Sequence, residues 1–332
     1  MKTMEKFNED LYLEFYETEN RFILEDALYV NKIEYRRDPL TGIWVRINRR
    51  LNEKHKIKNI IEKKEKIECP FCKENVFTKT PKLTDRDRFI LEKSIAFPSL
   101  YPYAKYHFVL VPNYEEHIEN FSDLKFEDFY NSMILIKEVA DYVNKKDKNY
   151  KYLFINLNKG PFSGASQEHL HFQIIIEDIP RGFYSKLVEN SEKYFNKYKS
   201  FLIEDYINFE KNLNKRYIKE DKNFVLISPF APIRNNEILG MIKSFGIYFM
   251  SSINFREFLL ELYRLLKIYE NQFENFNLVI SDTSYIKEGK ILPFFRVGQR
   301  NQNDIGFLEL YHGEFVVGKS PEDTAKFFRV II

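Results

Sequence analysis

A unit of strand-like run, long amphipathic stretch and second strand-like run occurs twice in this chain, the copies about 125–130 residues apart. Residues 106–112 (Y-H-F-V-L-V-P) have their counterpart in 236–242 (N-E-I-L-G-M-I). K-F-E-D-F at 125–129 is echoed by N-F-R-E-F at 254–258, and the run at 153–157 by N-L-V-I-S-D at 277–282. In the first amphipathic stretch, residues 122–143, Phe126, Phe129, Met133, Ile136, Ala140 and Val143 fall on one helical face. Asp123 lies near its start, where a negative charge suits the helix dipole. In the second, Phe258, Leu262, Leu265, Leu266 and Tyr269 do the same. The period is too long for a solenoid and predicts a duplicated α+β domain. A further helical stretch, 185–213, predicts the connector, which divides the chain into 1–183 and 184–332.

Residues 164–176 read G-A-S-Q-E-H-L-H-F-Q-I-I-I. In a strand, alternate residues share a face. His169, His171 and Gln173 would then project from one surface, and Leu170, Phe172 and Ile174 from the other. The preceding N-K-G-P-F-S-G-A-S at 158–166 is a small, polar, turn-rich loop of the kind whose backbone N–H groups can wrap a phosphate. Two of the chain's six histidines lie here.

Composition narrows the alternatives. The net charge of +2 offers no global field for nucleic acid, and the Lys-rich 54–66 reads as a solvated face. No apolar run approaches the ~18 residues of a membrane span. The N-terminus, M-K-T-M-E-K-F-N-E-D, has no signal-peptide core, so a cytoplasmic protein is expected. Two cysteines cannot build a disulfide scaffold. Cys69 and Cys72, in C-P-F-C, suit either a redox dithiol or a metal knuckle. The redox reading needs a helix starting at the first cysteine, and K-E-N-V-F-T-K-T-P shows no helical apolar period. Two thiolates joined by two imidazoles would complete a zinc tetrahedron.

The 158–173 segment resembles the active-site strand of the histidine-triad superfamily in its galactose-1-phosphate uridylyltransferase branch, which reads roughly N-x-G-x-x-x-G-A-S-x-x-H-P-H-x-Q. Asn158, Gly160, Gly164, Ala165, Ser166, His169, His171 and Gln173 match, and Leu170 replaces the usual proline. E-Y-R-R-D-P-L-T-G-I-W-V at 34–45, with the single Trp44, is similar to the branch's N-terminal signature. S-P-E-D-T-A-K-F-F-R at 320–329 resembles its closing helix, with Ser320 as N-cap. The resemblance implies two histidine-triad-like halves, each an antiparallel sheet with a long helix, joined through a shared or abutting sheet. The second half is degenerate, since Leu292-Pro293-Phe294 stands where a second H-x-H would fall.

The same resemblance implies the chemistry. Zn2+ would be held by Cys69, Cys72, His117 and His169, the last two being the branch's histidine after the next strand and the first of H-x-H. His171 would attack the α-phosphorus of a nucleotide, and Gln173 would bind the phosphoryl oxygens. Asn158, Gly164, Ser166 and Arg50 would bind substrate, with Arg49 and Lys54 as further phosphate candidates and Glu314 as a candidate for sugar hydroxyls. The implied activity is that of a nucleotidyltransferase on nucleotide sugars and sugar 1-phosphates. A phosphorylase of nucleoside-diphosphate sugars or dinucleoside polyphosphates, or a silent nucleotide-binding regulator, are the alternatives. A homodimer is expected, without nucleic-acid or membrane partners. The usual N-K/D-F-P-A-L is replaced by I-A-F-P-S-L at 95–100, losing the polar pair that meets the nucleotide.

Overall fold

The structure, a computed structural model, describes residues 3–6, 12–24, 27–51, 68–282, 290–301 and 305–332. Lys54, the lysine-rich run and Ile67 lie outside them. Four strands come first: β1 (Thr3–Lys6), β2 (Tyr12–Leu24), β3 (Ala27–Arg37) and β4 (Trp44–Ile47). A short helix α1 (Lys73–Lys79) leads into β5 (Phe89–Leu91), β6 (Ser94–Pro98) and β7 (Tyr106–Val111). The long helix α2 (Phe126–Lys146) is followed by β8 (Tyr152–Lys159) and β9 (Phe172–Glu177). Helices α3 (Phe183–Tyr198) and α4 (Leu202–Leu213) precede β10 (Tyr217–Glu220), β11 (Phe224–Ile227) and β12 (Asn235–Ile242). The chain then runs through α5 (Ser252–Gln272), β13 (Phe276–Asp282), β14 (Phe294–Gln299), β15 (Phe315–Val317) and α6 (Pro321–Ile331).

The duplication is visible in one continuous sheet, ordered β10-β11-β12-β14-β13-β8-β9-β7-β6-β5. Its centre is the antiparallel pair β8 and β13, where Asn158 faces Asn277 and Ile155 faces Ile280. Outward from that pair each half repeats the same order, and every pairing in the sheet is antiparallel. This is the α+β architecture of two sheet-plus-helix halves sharing one sheet. Among the described residues no helix is long and apolar enough to cross a membrane.

The two faces of the sheet have different fates. On one, Phe172, Ile174 and Ile176 of β9 and Phe295 and Val297 of β14 pack with Phe129, Met133 and Ile136 of α2 and Phe258, Leu262 and Leu266 of α5, all buried. On the other, the second half is covered. Val225, Leu239 and Phe294 pack beneath Leu187, Ile203 and Tyr206 of α3 and α4, and beneath Leu13, Val45 and Val317 of a second sheet, β1-β2-β3-β4-β15. Among the described residues, the corresponding face of the first half carries a small cluster around Phe71, Val76, Phe97 and Val111.

Three local expectations need correction. The stretch 185–213 is not one helix: Lys199, at φ 57, closes α3 in the left-handed conformation and α4 restarts at Leu202. Residues 73–79 are helical, with Cys72 in the N-cap position. Only Val76 of that helix is buried, so seven residues left no readable periodicity. The first long helix runs later than 122–143, with Lys125 as its N-cap and Glu127 and Asp128 as the acids of its first turn. Ser320 does cap α6, its Oγ accepting from the Asp323 N–H at 3.2 Å.

Candidate active site

The knuckle around the two cysteines is built by main-chain geometry. The Cys72 carbonyl accepts the first helical N–H bonds, from Asn75 and Val76, at 2.9 and 2.8 Å, while the Asn75 amide donates to the Cys69 carbonyl at 2.9 Å. His117 comes from the segment after β7, and His169 from a bend before β9, so that the strand expected to carry both histidines begins only at Phe172. One ligand atom from each of Cys69, Cys72, His117 and His169 lies within 4.8 Å of all the others. The four expected residues therefore converge.

The cluster can be tested against a cation. Zinc bonds of about 2.3 Å to sulfur and 2.0–2.1 Å to nitrogen, at tetrahedral angles, separate S and N ligands by about 3.6 Å. The distances found are 3.5 Å for Cys69 Sγ to His169 Nδ1, 3.7 Å for Cys72 Sγ to His169 Nδ1, and 3.3 Å for Cys72 Sγ to His117 Nδ1. The outer nitrogens are placed as metal-bound imidazoles require. His169 Nε2 donates to the Asn113 carbonyl at 2.9 Å, and His117 Nε2 lies 3.3 Å from Glu119. Burial holds His169 neutral by lowering its pKa to about 4. Burial, together with the neighbouring Cys69, pushes Cys72 up to about 12, so two adjacent thiolates need a cation between them. The residues fit a metal ion.

His171 sits beyond this cluster, 4% exposed, its ring edge-on to Phe71 at 5.2 Å. Its Nδ1 is 2.8 Å from the His169 carbonyl. A carbonyl only accepts, so Nδ1 carries the proton and Nε2 keeps its lone pair. Burial lowers the pKa of this imidazole, which favours that neutral form. Gln173, two residues on, takes a hydrogen bond from His107 Nε2 on its Oε1, at 3.0 Å.

The loop between β8 and β9 is braced from the second half. Asn277 Nδ2 donates to Asn158 Oδ1 at 2.7 Å and to the Ser163 carbonyl at 2.9 Å. Asn158 Nδ2 in turn donates to the Gly164 carbonyl at 3.3 Å. Asn275 Oδ1 accepts from the Phe162 N–H at 3.0 Å. Gly160 and Gly164 both have positive φ, 83 and 88, and a Cβ on Gly160 would stand 2.3 Å from Asn275 Oδ1. Ser166 is exposed on this loop.

The basic and acidic candidates of the N-terminal sheet are engaged locally. The Arg50 guanidinium lies over the Tyr29 ring at 4.8 Å, Arg49 reaches Asp323 at 3.5 Å, and Glu314 accepts from Arg46 Nε at 2.7 Å. Ile95 and Ala96, where the branch has its polar pair, are fully buried in β6. Sequence reasoning missed His107, Asn113, Asn275 and Asn277. Only His107 left a trace, in the P-x-x-x-x-H-x-x-x-x-P pattern of 102–112.

Fold and site together define a duplicated α+β protein in which a Cys-Cys-His-His cluster able to hold a metal stands beside an H-x-H segment leading into β9. Comparison with known proteins agrees. Residues 48–178 match the N-terminal domain of the family described as domain of unknown function DUF4931. A protein of Archaeoglobus fulgidus is 26% identical over 283 residues, covering 79% of this chain and 81% of that one. The galactose-1-phosphate uridylyltransferase of Kluyveromyces lactis is 32% identical over 99 residues, 30% of this chain and 27% of the enzyme. That of Saccharomyces cerevisiae is 28% identical over 144 residues, 42% of this chain and 39% of the enzyme. The matches to these yeast enzymes thus span well under half their length. An ADP-glucose phosphorylase of Arabidopsis thaliana, solved with bound ADP-glucose, superposes with a TM-score of 0.71 at 20% identity over 90% of this chain and 99% of that one. A uridylyltransferase does so with a TM-score of 0.61 at 17% identity, over 90% and 98%. These likenesses support a divergent relative of the galactose-1-phosphate uridylyltransferases.

Proposed function

We propose that this chain is a nucleotidyltransferase acting on nucleotide sugars and sugar 1-phosphates through a nucleotidyl-histidine at His171. The observation that carries the reading is the tie of His171 Nδ1 to the His169 carbonyl, which leaves Nε2 as a neutral nucleophile. Nε2 attacks the α-phosphorus, a P–N bond forms, and the P–O bond to the departing sugar phosphate breaks. The Nδ1 proton stays on the ring, and its hydrogen bond to the carbonyl stabilises the positive charge the ring then carries. An oxygen of the acceptor phosphate next attacks the same phosphorus, the P–N bond breaks and free His171 returns. Gln173 and the N–H groups of the 160–166 loop oppose the charge that builds on the phosphoryl oxygens.

The cofactor of this reading is Zn2+, held by Cys69, Cys72, His117 and His169. Four protein ligands leave no open position, so its contribution is to fix the H-x-H approach and the aim of His171. Inorganic phosphate is a second acceptor worth testing, because Glu314, the candidate for sugar hydroxyls, is already engaged by Arg46. A homodimer in the cytoplasm completes the reading, and a monomer mass by light scattering would remove the first part.

The test is intact-mass spectrometry after incubation with a panel of nucleotide sugars. The reading expects one nucleoside monophosphoryl group per chain, on His171. Discharge by a sugar 1-phosphate marks the transferase, and discharge by inorganic phosphate the phosphorylase. Tight nucleotide binding with no adduct would instead favour a regulator.

A further inference from the structure

We propose that His107 is a positioning residue, one that turns the side-chain amide of Gln173 so that its NH2 group, and not its carbonyl, faces the reacting anion. Only the identity of that anion as a phosphoryl group rests on the function proposed above.

A glutamine beside an anion can fail by facing it with the wrong end. The two orientations of the amide differ little in shape, but one presents two donors and the other a carbonyl dipole of the wrong sign. Nothing in Gln173 itself selects between them. His107 does, and its own protonation pattern is set by the main chain. Its Nδ1 lies 3.1 Å from the backbone N of Tyr103, which can only donate, so Nδ1 must be the unprotonated acceptor. A neutral imidazole then carries its proton on Nε2, and Nε2 is the atom 3.0 Å from Gln173 Oε1. The Gln173 carbonyl is thereby claimed, and the NH2 end is the one left for a ligand.

The ring is fixed as well as oriented. His107 is 5% exposed, and the Tyr103 ring stacks on it at 5.0 Å and 27°. Burial also lowers its pKa, in keeping with the neutral form. A protonated ring would set a second N–H against that of Tyr103.

The second half supplies an internal comparison. Val109 pairs with Gln173 across β7 and β9, and Leu239 pairs with Arg296 across β12 and β14. His107 and Glu237 each stand two residues before the paired residue, so the His107–Gln173 contact has the Glu237–Arg296 ion pair, at 2.6 Å, as its counterpart. In that half the face is closed over by α3, α4 and the small sheet. Two register positions thus bring their side chains together in both halves. Where the face is sealed, the pair is charged, and the carboxylate is filled by Arg296 and the N–H groups of Ile233 and Arg234. Where the histidines stand, it is neutral and directional, with donors to spare.

The experiment joins ¹⁵N NMR of the whole wild-type chain to single-turnover rates of adduct formation in His107→Leu, His107→Gln, Gln173→Ala and the His107→Leu/Gln173→Ala double variant. The expected spectrum places the His107 proton on Nε2. Each single variant should slow adduct formation about five- to tenfold, the effect of losing one oriented hydrogen bond, with nucleotide affinity nearly unchanged. The double variant should lose little more than either alone. His107→Gln, which can donate from its own amide, should recover most of the rate. An Nδ1–H tautomer would overturn the proposal, and so would independent, multiplying losses in the double variant. If wild type forms no adduct with any nucleotide sugar, the proposed function fails, and the tautomer still decides the positioning claim.

Discussion

His169 and His171 stand two residues apart and use the same ring atom for opposite purposes. Nδ1 of His169 faces the two cysteine sulfurs while its Nε2 is tied to the Asn113 carbonyl. Nδ1 of His171 is tied to the His169 carbonyl, which frees Nε2. In the proposed function the first histidine is a metal ligand and the second the nucleophile. His171→Asn should lower turnover by roughly a thousandfold or more and abolish the covalent adduct. Circular dichroism and bound metal should be unchanged, because residue 171 is outside the cluster. A variant that keeps near-normal turnover would reject the covalent mechanism.

The metal cluster predicts a stoichiometry. Purified protein should contain one zinc per chain by elemental analysis, and Cys72→Ser should hold clearly less than one. Glu119, 3.3 Å from His117 Nε2, supports that ligand from outside, and Glu119→Ala should weaken metal affinity about tenfold. Because metal binding couples to folding, chelation should lower the melting temperature before activity is assayed. Protein that stays metal-free under zinc-replete conditions, with unaltered stability, would exclude the site.

Gly160 predicts a steep local cost. Its φ of 83 is left-handed, and an added Cβ would approach Asn275 Oδ1 to 2.3 Å and the Glu274 carbonyl to 2.7 Å. Gly160→Ala should destabilise the chain by about 2–4 kcal/mol in urea denaturation and displace the loop that Asn275 and Asn277 brace. Asn277→Ala, which leaves the Asn158 and Ser163 oxygens without that donor, should cost about 1–3 kcal/mol. Stability within a few tenths of wild type for both would remove the brace.

The N-terminal sheet is pinned to the second half by Glu322, which bonds Arg36 at 2.8 Å and Arg216 at 2.7 Å. Burial alone would raise its pKa, but Arg36 and Arg216 outweigh it and hold the carboxyl at about 2, against an ordinary 4.5. A depressed folded pKa gives stability that is complete above the unfolded value and is lost as pH falls from about 4.5 toward 2. The contribution at neutral pH is on the order of 3 kcal/mol. The gap in unfolding free energy between wild type and Glu322→Gln should therefore halve by about pH 3. A gap that is constant from pH 7 to pH 3 would show that the carboxylate is not held this way.

The sequence by itself determined the parts that rest on local pattern. The alternation of β9 places Phe172 and Ile174 against the helices and leaves Gln173 on the other face. The apolar stripes of α2 and α5 and the Ser320 cap were legible for the same reason, since 3.6- and 2-residue periods are properties of a few neighbouring residues. The connector break at Lys199 and the short helix after Cys72 were not, because a positive-φ cap and a seven-residue helix with one buried side chain leave no period to read. What only the tertiary structure decided is which distant residues meet. Cys69 and His169 are 100 positions apart and touch at 3.5 Å. His107 reaches Gln173 because strand register sets them across β7 and β9. Asn277 reaches Asn158 because the two halves share one sheet at β8 and β13. Register and sheet order follow from burying both apolar helix faces on one surface at once, a condition on the whole chain that no single segment contains.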